Sequence, residues 1–298
     1  MTAPLLGAPA RIDPFAPIVE QVWHGVGVTV RRGTGPHIRH GHGPDAVCTE
    51  RFCAQRLDGL LTVEHRLSPD QLCDELAAMI ADDLAGTGML GSQADFEEVF
   101  TGVIRSSVDG AQASWLSFYR NSVARLEAGL AGFSPVHRYG ADLIRGAEVI
   151  DLGSCFGFFP LRLAAQGIGV LATDLSAPTM GLLSRMSALL GRPVRTMACD
   201  ATRVPLPDRA ADTVTALHLI EHLPPESSDA VIDEAVRLAR HRVVIAVPFE
   251  AEPVTCYGHV QRFGCEELDG LARRLCHRHP ELRATVTEHH GGWLVLDR

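Results

Sequence analysis

The chain has 298 residues, of which 46% are hydrophobic, 27 basic and 36 acidic, and its formal net charge is −9. This length suits one large domain or a core domain with an extension, and either can bury an ample core. The acidic balance disfavours a nucleic-acid partner, because binding to a polyanion normally requires a concentrated basic face. All the basic residues are arginine, which excludes lysine Schiff-base chemistry.

No targeting or membrane-spanning segment is visible. The longest apolar runs fall well short of the roughly 20 residues of a membrane span, and the N-terminus lacks the basic start and apolar segment of a signal peptide. The eight cysteines form no CxxC pair. We therefore expect a cytoplasmic protein with no membrane partner and no disulfide bond.

The first half of the chain predicts an arm and a small α+β region. Residues 1–18 are rich in Pro and Ala without periodicity and predict a loose arm, and residues 19–146 form the α+β region. Short strand patterns predict a small antiparallel sheet. They cover residues 26–32, 47–52 and 60–66.

The turn after the first of these strands is rich in glycine and histidine. A metal site can be drawn from nearby side chains, but their spacing matches no zinc pattern, and a solvated hairpin loop is the simpler interpretation. The side chains are His37, His40, His42, Cys48 and Cys53.

Helices complete this region. Ser68 and Pro69 predict the start of a helix that Gly86-Thr-Gly88 ends. Two further helices are predicted over residues 95–108 and 111–130. The last carries Trp115, Phe118 and Tyr119 at helical spacing, a stripe that is usually core.

From residue 147 onward, strand and helix patterns alternate, which predicts a parallel α/β sheet. The strands are predicted at residues 148–152, 169–173, 194–198, 212–217, 242–247, 283–288 and 292–297, and the helices at 158–166, 177–190, 226–240 and 265–277. Only a short turn separates the last two strands. The pattern therefore predicts a terminal hairpin, with an antiparallel strand at one edge.

Acidic residues follow three successive strands of this sheet. The first is in the loop Asp151-Leu-Gly153-Ser-Cys155-Phe-Gly157, which joins a strand to a helix and whose glycines allow a tight turn near a ligand. Asp174 ends the next strand, where a carboxylate can hold ribose hydroxyls, and Asp200-Ala201 follows the third. Each acid is also common as a plain turn or cap residue.

This loop resembles the DxGxGxG loop of class I S-adenosylmethionine (SAM) methyltransferases, although Cys155 stands where the pattern has its middle glycine. The resemblance implies a Rossmann-like sheet over residues 147–298 and SAM as the cofactor. Asp200 would accept a hydrogen bond from the adenine amino group. The residues implied in cofactor binding are Asp151, Gly153, Cys155, Gly157, Asp174, Asp200 and Ala201. In this family the helices before the first strand commonly form a lid, which is the alternative role for residues 19–146.

The fourth strand of this sheet runs into His218-Leu-Ile-Glu221-His222. A helical turn would bring His218 and His222 to one face. A similar segment holds a divalent metal in ubiquinone-type O-methyltransferases, so all three residues are possible ligands. HxxEH also occurs in inverzincin proteases, but here it follows a strand and precedes two prolines. A metal site, a general base and a structural histidine remain open.

The loop after the fifth strand carries Tyr257, His259 and Arg262, which either hold a polar substrate or pin the loop. Methyl transfer to a hydroxyl requires removal of its proton, and a neutral imidazole suits this task. We therefore take His218, His222 and His259 as candidate catalytic residues for O-methylation of a small polar molecule.

By overall likeness, the whole chain resembles the actinobacterial mycofactocin oligosaccharide methyltransferases. This implies a glycosylated acceptor, methylated on a glucose hydroxyl. Trp115, Tyr119, Tyr257 and Arg262 are the residues available to contact a sugar. Methylation of a quinone or phenol is an alternative, as is a non-catalytic binding module. An NAD(P) oxidoreductase would instead require GxGxxG, and the absence of Lys excludes its common short-chain form.

Overall fold

A computed structural model of the chain describes residues 12–33 and 45–298. The chain divides into two compact units, residues 1–125 and 126–298. The sequence predicts the division at residue 146 instead. The difference arises from a helix over Ser134–Asp142 that we did not predict, whose Val136 packs against the sheet of the second unit. Most of the predicted N-terminal arm lies outside the described residues, as do His37, His40 and His42.

Unit 1 contains a five-stranded sheet in the order β1-β2-β5-β4-β3. The strands are β1 (Val22–His24), β2 (Val28–Arg32), β3 (Val47–Cys48), β4 (Phe52–Leu57) and β5 (Leu60–His65). The predicted strand 47–52 is divided, because a turn at Thr49 separates β3 from β4. The sheet is mixed rather than antiparallel as predicted, since β5 of the β4–β5 hairpin pairs in parallel with β2.

The prediction that no disulfide forms is wrong at one pair. Cys48 and Cys53 face each other across β3 and β4, with Cα atoms 4.0 Å apart, and they form a disulfide. The sequence does not reveal this pairing, because the two residues look like members of one continuous strand until the turn between them is known.

The helices of unit 1 are α1 (Leu76–Leu84), α2 (Gln93–Ser107) and α3 (Ala111–Ala128), the last of which extends into unit 2. Ser68 does not begin α1 as predicted. It begins a single 3-10 turn over Pro69–Gln71, and α1 starts only at Leu76. Among the helices of the described residues, none combines the length and apolar composition needed to cross a membrane.

Unit 2 contains a seven-stranded sheet in the order β11-β12-β10-β9-β6-β7-β8. Its strands are β6 (Glu148–Leu152), β7 (Gly169–Asp174), β8 (Arg195–Ala198), β9 (Ala211–Leu217), β10 (Ala239–Val247), β11 (Arg283–Glu288) and β12 (Gly292–Asp297), and its helices are α4 (Ser134–Asp142), α5 (Phe158–Ala165), α6 (Ala177–Leu189), α7 (Pro225–Leu238) and α8 (Cys265–Arg278). The alternation therefore forms the Rossmann-like sheet that the sequence predicts.

The terminal hairpin is confirmed, but its antiparallel strand is not at the edge. β12 pairs antiparallel with both β10 and β11, so it lies inside the sheet and β11 forms the edge. β12 can occupy this position because it is almost completely buried, whereas β11 is partly exposed. Because β6, β7, β8, β9 and β10 are parallel, the loops after all five meet at one edge of the sheet.

Candidate active site

The loop between β6 and α5 is fixed by a buried carboxylate. Asp151 is 3% exposed, and it accepts hydrogen bonds from the hydroxyls of Ser154 and Thr215. Burial raises the pKa of Asp151 to about 6; the two hydrogen bonds oppose this shift, and the neighbouring charge of Asp174 adds to it. Asp151 therefore anchors the turn from inside the sheet rather than from its surface.

Two glycines of this loop adopt a left-handed backbone, and a side chain at either position would have to displace a leucine. At Gly153, with φ of 67°, an added Cβ would lie 2.6 Å from Leu219 Cδ1. At Gly157, with φ of 71°, it would lie 2.3 Å from Leu183 Cδ2. α5 begins directly after Gly157, so the N-terminal end of a helix lies next to the turn, as in sites for polar ligands.

Cys155 shows how the loop tolerates a residue other than glycine at its middle position. It adopts a left-handed φ of 48°, its side chain is exposed, and its backbone N–H donates to Asp174 Oδ2 at 3.0 Å. The side chain therefore points away from the packed interior, while the N–H ties this loop to the end of β7.

Asp174 and Asp200 occupy the corresponding ends of the next strands. Asp174 accepts one backbone N–H on each oxygen, from Cys155 and from Ser176 at 2.9 Å, and is only partly buried. Each carboxylate oxygen retains further lone pairs for a ligand hydroxyl. Asp200 is exposed and accepts from the N–H and hydroxyl of Thr202 at 2.8 Å.

His218 follows the last residue of β9 and lies beside the loop of Gly153 and Gly157. His218 has a left-handed φ of 54°, and its N–H donates to the Ala246 carbonyl at 2.9 Å. The next residue, Leu219, is the one that fills the space over Gly153. The His218 ring packs edge-on against Phe133, with ring centroids 5.1 Å apart. His218 is therefore connected to the glycine turn through its neighbour Leu219.

Glu221 is completely buried, and neither of its carboxylate oxygens has a hydrogen-bond partner in the structure. Its Oε1 lies 3.2 Å from His218 Nδ1, without hydrogen-bond geometry. Burying a charge normally costs several kcal/mol (~3–5) unless it is paired. The carboxylate of Glu221 thus lies in an interior position without full compensation.

His222 and His259 meet beside Glu221. Their rings pack edge-on with centroids 4.7 Å apart, and one possible ligand atom from each of the three residues lies within 4.8 Å of the others. Burial lowers the pKa of His222, with the charge of Glu221 opposing this shift, which favours a neutral ring. His259 is 9% exposed, and its Nδ1 lies 2.8 Å from Glu250 Oε2.

The loop between β10 and α8 is held on this segment by Gln261. The Gln261 side-chain amide donates to the carbonyls of Ile220 and Leu223 and to the Ser228 hydroxyl, and the backbone N–H groups of Val260 and Gln261 donate to the Glu221 carbonyl. These bonds bring His259 to His222 although 37 residues separate them.

A sequence model of a methyltransferase domain matches residues 150–247, which contain the glycine loop, Asp174, Asp200 and the His218–His222 segment. The chain carries a SAM-dependent methyltransferase domain. The match spans about a third of the chain, and unit 1 lies outside it. No curated protein matches the sequence.

The solved structures that the chain matches are only distantly similar to it. Magnesium protoporphyrin IX methyltransferase from Synechocystis with bound SAM is 18% identical, with 59% of this chain and 79% of that chain covered and a TM-score of 0.41. A SAM-dependent methyltransferase from Aquifex aeolicus is 16% identical, with 59% and 96% covered and a TM-score of 0.43. A SAM-dependent methyltransferase from Methanosarcina mazei is 14% identical, with 55% of this chain and 96% of that chain covered and a TM-score of 0.44.

The predicted residues of the methyltransferase fall into three places. The proposed cofactor residues lie at the carboxyl ends of β6 and β7 and on the loops after β6 and β8, and the candidate catalytic histidines lie after β9 and β10. Tyr257 is near His259, with ring centroids 5.9 Å apart. Arg262 is 57% exposed and lies 3.6 Å from Glu267. Trp115 and Tyr119 are completely buried in unit 1, where the Trp115 indole donates to the Pro14 carbonyl.

Sequence reasoning missed several residues that shape the methyltransferase site. Glu250, Gln261 and Thr215 act through contacts with residues far away in the chain, and no local motif identifies them. His137 lies on the unpredicted helix α4, with its ring 5.6 Å from that of Phe159, and burial lowers its pKa to about 3. The aromatic and histidine pattern of α4 was the one available signal.

Proposed function

We propose that the protein transfers the SAM methyl group to a hydroxyl of a small polar acceptor. The observation that carries this proposal is the position of Glu221, which lies 3.2 Å from His218 and groups with His222 and His259, while Leu219 beside His218 packs over Gly153. Amine and thiol acceptors need less help with proton removal than an alcohol, so a group of three imidazoles suits hydroxyl chemistry.

The cofactor would bind across the loops after β6, β7 and β8. Asp174 would hold the ribose hydroxyls with the lone pairs that its backbone contacts leave available, and Asp200-Ala201 would meet the adenine. The turn of Gly153, Cys155 and Gly157 would lie against the methionine portion, because its glycines let the backbone turn tightly beside the N-terminal end of α5. Asp151 would keep the turn in place.

His218 is our choice for the proton acceptor. SAM, when bound, would supply the methyl carbon to the acceptor oxygen, and its sulfur would leave with the electron pair of the broken C–S bond as S-adenosylhomocysteine. The hydroxyl proton passes to His218 Nε2, while Nδ1 faces the Glu221 carboxylate, which stabilises the imidazolium that results.

For the acceptor, we propose a sugar hydroxyl, with the mycofactocin oligosaccharide as the specific candidate. Phe133 is 46% exposed beside His218 and offers an aromatic face of the kind that sugars stack on. Tyr257 and Arg262 lie in the loop that carries His259 and would contribute polar contacts. A contact of Trp115 or Tyr119 with the sugar remains a prediction that requires their buried rings to become accessible.

The test is incubation of the purified chain with isotope-labelled SAM and a small-molecule extract of cells that lack its gene, followed by mass spectrometry. We expect a labelled, sugar-bearing product. The His218→Gln variant should lower kcat about 10²- to 10⁴-fold while its Kd for SAM stays within about twofold of the original. The exposed His277→Gln serves as the matched control. A labelled product without sugar would contradict the acceptor class, and absence of SAM binding would leave a non-catalytic module.

A further inference from the structure

Glu221, His222 and His259 form a group of side chains whose composition suits a metal ion. They supply one carboxylate and two imidazoles, and a ligand atom from each lies within 4.8 Å of the other two. Two histidines and one carboxylate bind first-row transition metals in many proteins, whereas magnesium prefers oxygen ligands. The composition therefore points to a transition metal rather than to an alkaline-earth ion.

The burial of Glu221 is an independent observation that points to a cation. Its side chain is completely buried and both oxygens lack a hydrogen-bond partner. The His218 contact, at 3.2 Å from Oε1, reaches one of the two oxygens. A divalent ion between Glu221, His222 and His259 would supply the missing positive charge, and burial would then favour its retention.

His259 also has the second contact that metal-binding histidines usually have. Its Nδ1 lies 2.8 Å from Glu250 Oε2, and that contact fixes the ring with Nε2 available to a ligand. The His222 ring packs edge-on against the His259 ring, with centroids 4.7 Å apart, which places both rings beside Glu221. Glu221 and Glu250 would thus place two carboxylates near the ion.

We propose that Glu221, His222 and His259 bind a divalent transition-metal ion, with Glu250 orienting His259. This differs from the set that the sequence predicts, because His259, brought in by Gln261, replaces His218 as the third ligand. His218 then remains available as a proton acceptor. The inference uses residues of the proposed methyl-transfer site, but metal uptake is measured without SAM or acceptor, so the two proposals can fail separately.

The experiment is titration of the full chain, without a polyhistidine tag, with Co²⁺, followed by its visible absorption and by displacement with Zn²⁺. We expect one equivalent of Co²⁺ to bind. His222→Ala and His259→Ala should each lose this absorption, and Glu250→Gln should bind about 10- to 100-fold more weakly. The exposed His277→Ala is the matched control and should bind like the original chain.

Two further variants test whether the bound Co²⁺ occupies the proposed site. Replacing His37, His40 and His42 together by Ala should leave Co²⁺ binding unchanged, and loss of binding there would overturn the proposal. Glu221→Gln removes a buried charge, so without metal its Tm should be equal or higher, while the rise in Tm on adding Zn²⁺ should vanish. If Glu221→Gln, His222→Ala and His259→Ala bind Co²⁺ like the original chain, the site does not exist.

Discussion

The loops at the carboxyl ends of the parallel strands in unit 2 form two groups that are built in different ways. The loops after β6, β7 and β8 take their shape from backbone conformation, with left-handed glycines and carboxylates that accept backbone N–H groups. The loops after β9 and β10 take theirs from side-chain contacts between segments far apart in the chain, above all through Gln261 and Glu250. In our proposal the first group of loops, the cofactor half, binds SAM, and the second, the acceptor half, binds the acceptor.

Gly157→Ala should have the largest effect, because it alters the backbone of the cofactor half, which comprises the loops after β6, β7 and β8. The new Cβ would lie 2.3 Å from the buried Leu183, at a φ that disfavours any side chain. We expect the free energy of unfolding to fall by about 2–4 kcal/mol and SAM affinity to fall with it. Denaturant unfolding and calorimetry measure the two quantities.

Gly181→Ala is the matched control for that change. Gly181 lies in α6, and an added Cβ would meet nothing within 4 Å, so stability should stay the same or rise by up to about 1 kcal/mol. If both variants behave alike, the cofactor half does not depend on its glycine backbone.

Asp151→Asn tests the buried carboxylate that anchors the cofactor half. The pKa of Asp151 is raised from 3.8 to about 6 by burial, so the folded chain holds a proton that the unfolded chain releases. The stability from this group is present below pH 3.8 and is lost as the pH rises through about 6, a change of at most about 3 kcal/mol.

Asparagine does not titrate at this position, so it removes that pH dependence. The stability of Asp151→Asn relative to the original chain should therefore be higher at pH 8 than at pH 4, as measured by denaturant unfolding at both pH values. A constant difference between the two proteins across this range would show that Asp151 keeps its ordinary pKa in the folded chain.

Gln261→Ala tests the acceptor half. Its side-chain amide donates to two carbonyls and to the Ser228 hydroxyl. Losing these hydrogen bonds should lower the free energy of unfolding by about 1–2 kcal/mol. Because the loop would loosen, KM for the acceptor should rise while Kd for SAM stays unchanged. Gln166→Ala, at an exposed helix end, should change neither. A change in Kd for SAM would mean that the two halves are not separable.

Arg262→Ala should have the smallest effect on stability. The Arg262–Glu267 pair is exposed and 3.6 Å apart, so its loss should change the free energy of unfolding by less than about 0.5 kcal/mol. If Arg262 contacts the acceptor, KM for the acceptor should rise with no change in Tm. An unchanged KM would remove Arg262 from the acceptor site.

The difference between the halves also explains what the sequence could predict. The glycine loop, Asp174 and the bounds of β6 to β9 follow from local patterns, and the structure has these strands within one residue of the predicted bounds. The contact of His259 with His222, and the orientation of its ring by Glu250, depend on how a long loop folds back. Helix α4 was missed because its apolar residues are few, and β12 was misplaced because local pattern does not determine strand order.

Calorimetric titration of the full chain with SAM and with S-adenosylhomocysteine tests the central claim most directly. The account predicts one binding site for each compound. Asp174→Asn should weaken SAM binding about tenfold or more, because it removes the charge of the carboxylate that accepts from Cys155 and that we propose holds the ribose, whereas His218→Gln should leave it unchanged. Absence of binding, or equal affinity in the original chain and Asp174→Asn, would contradict the assignment of the cofactor to this edge of the sheet.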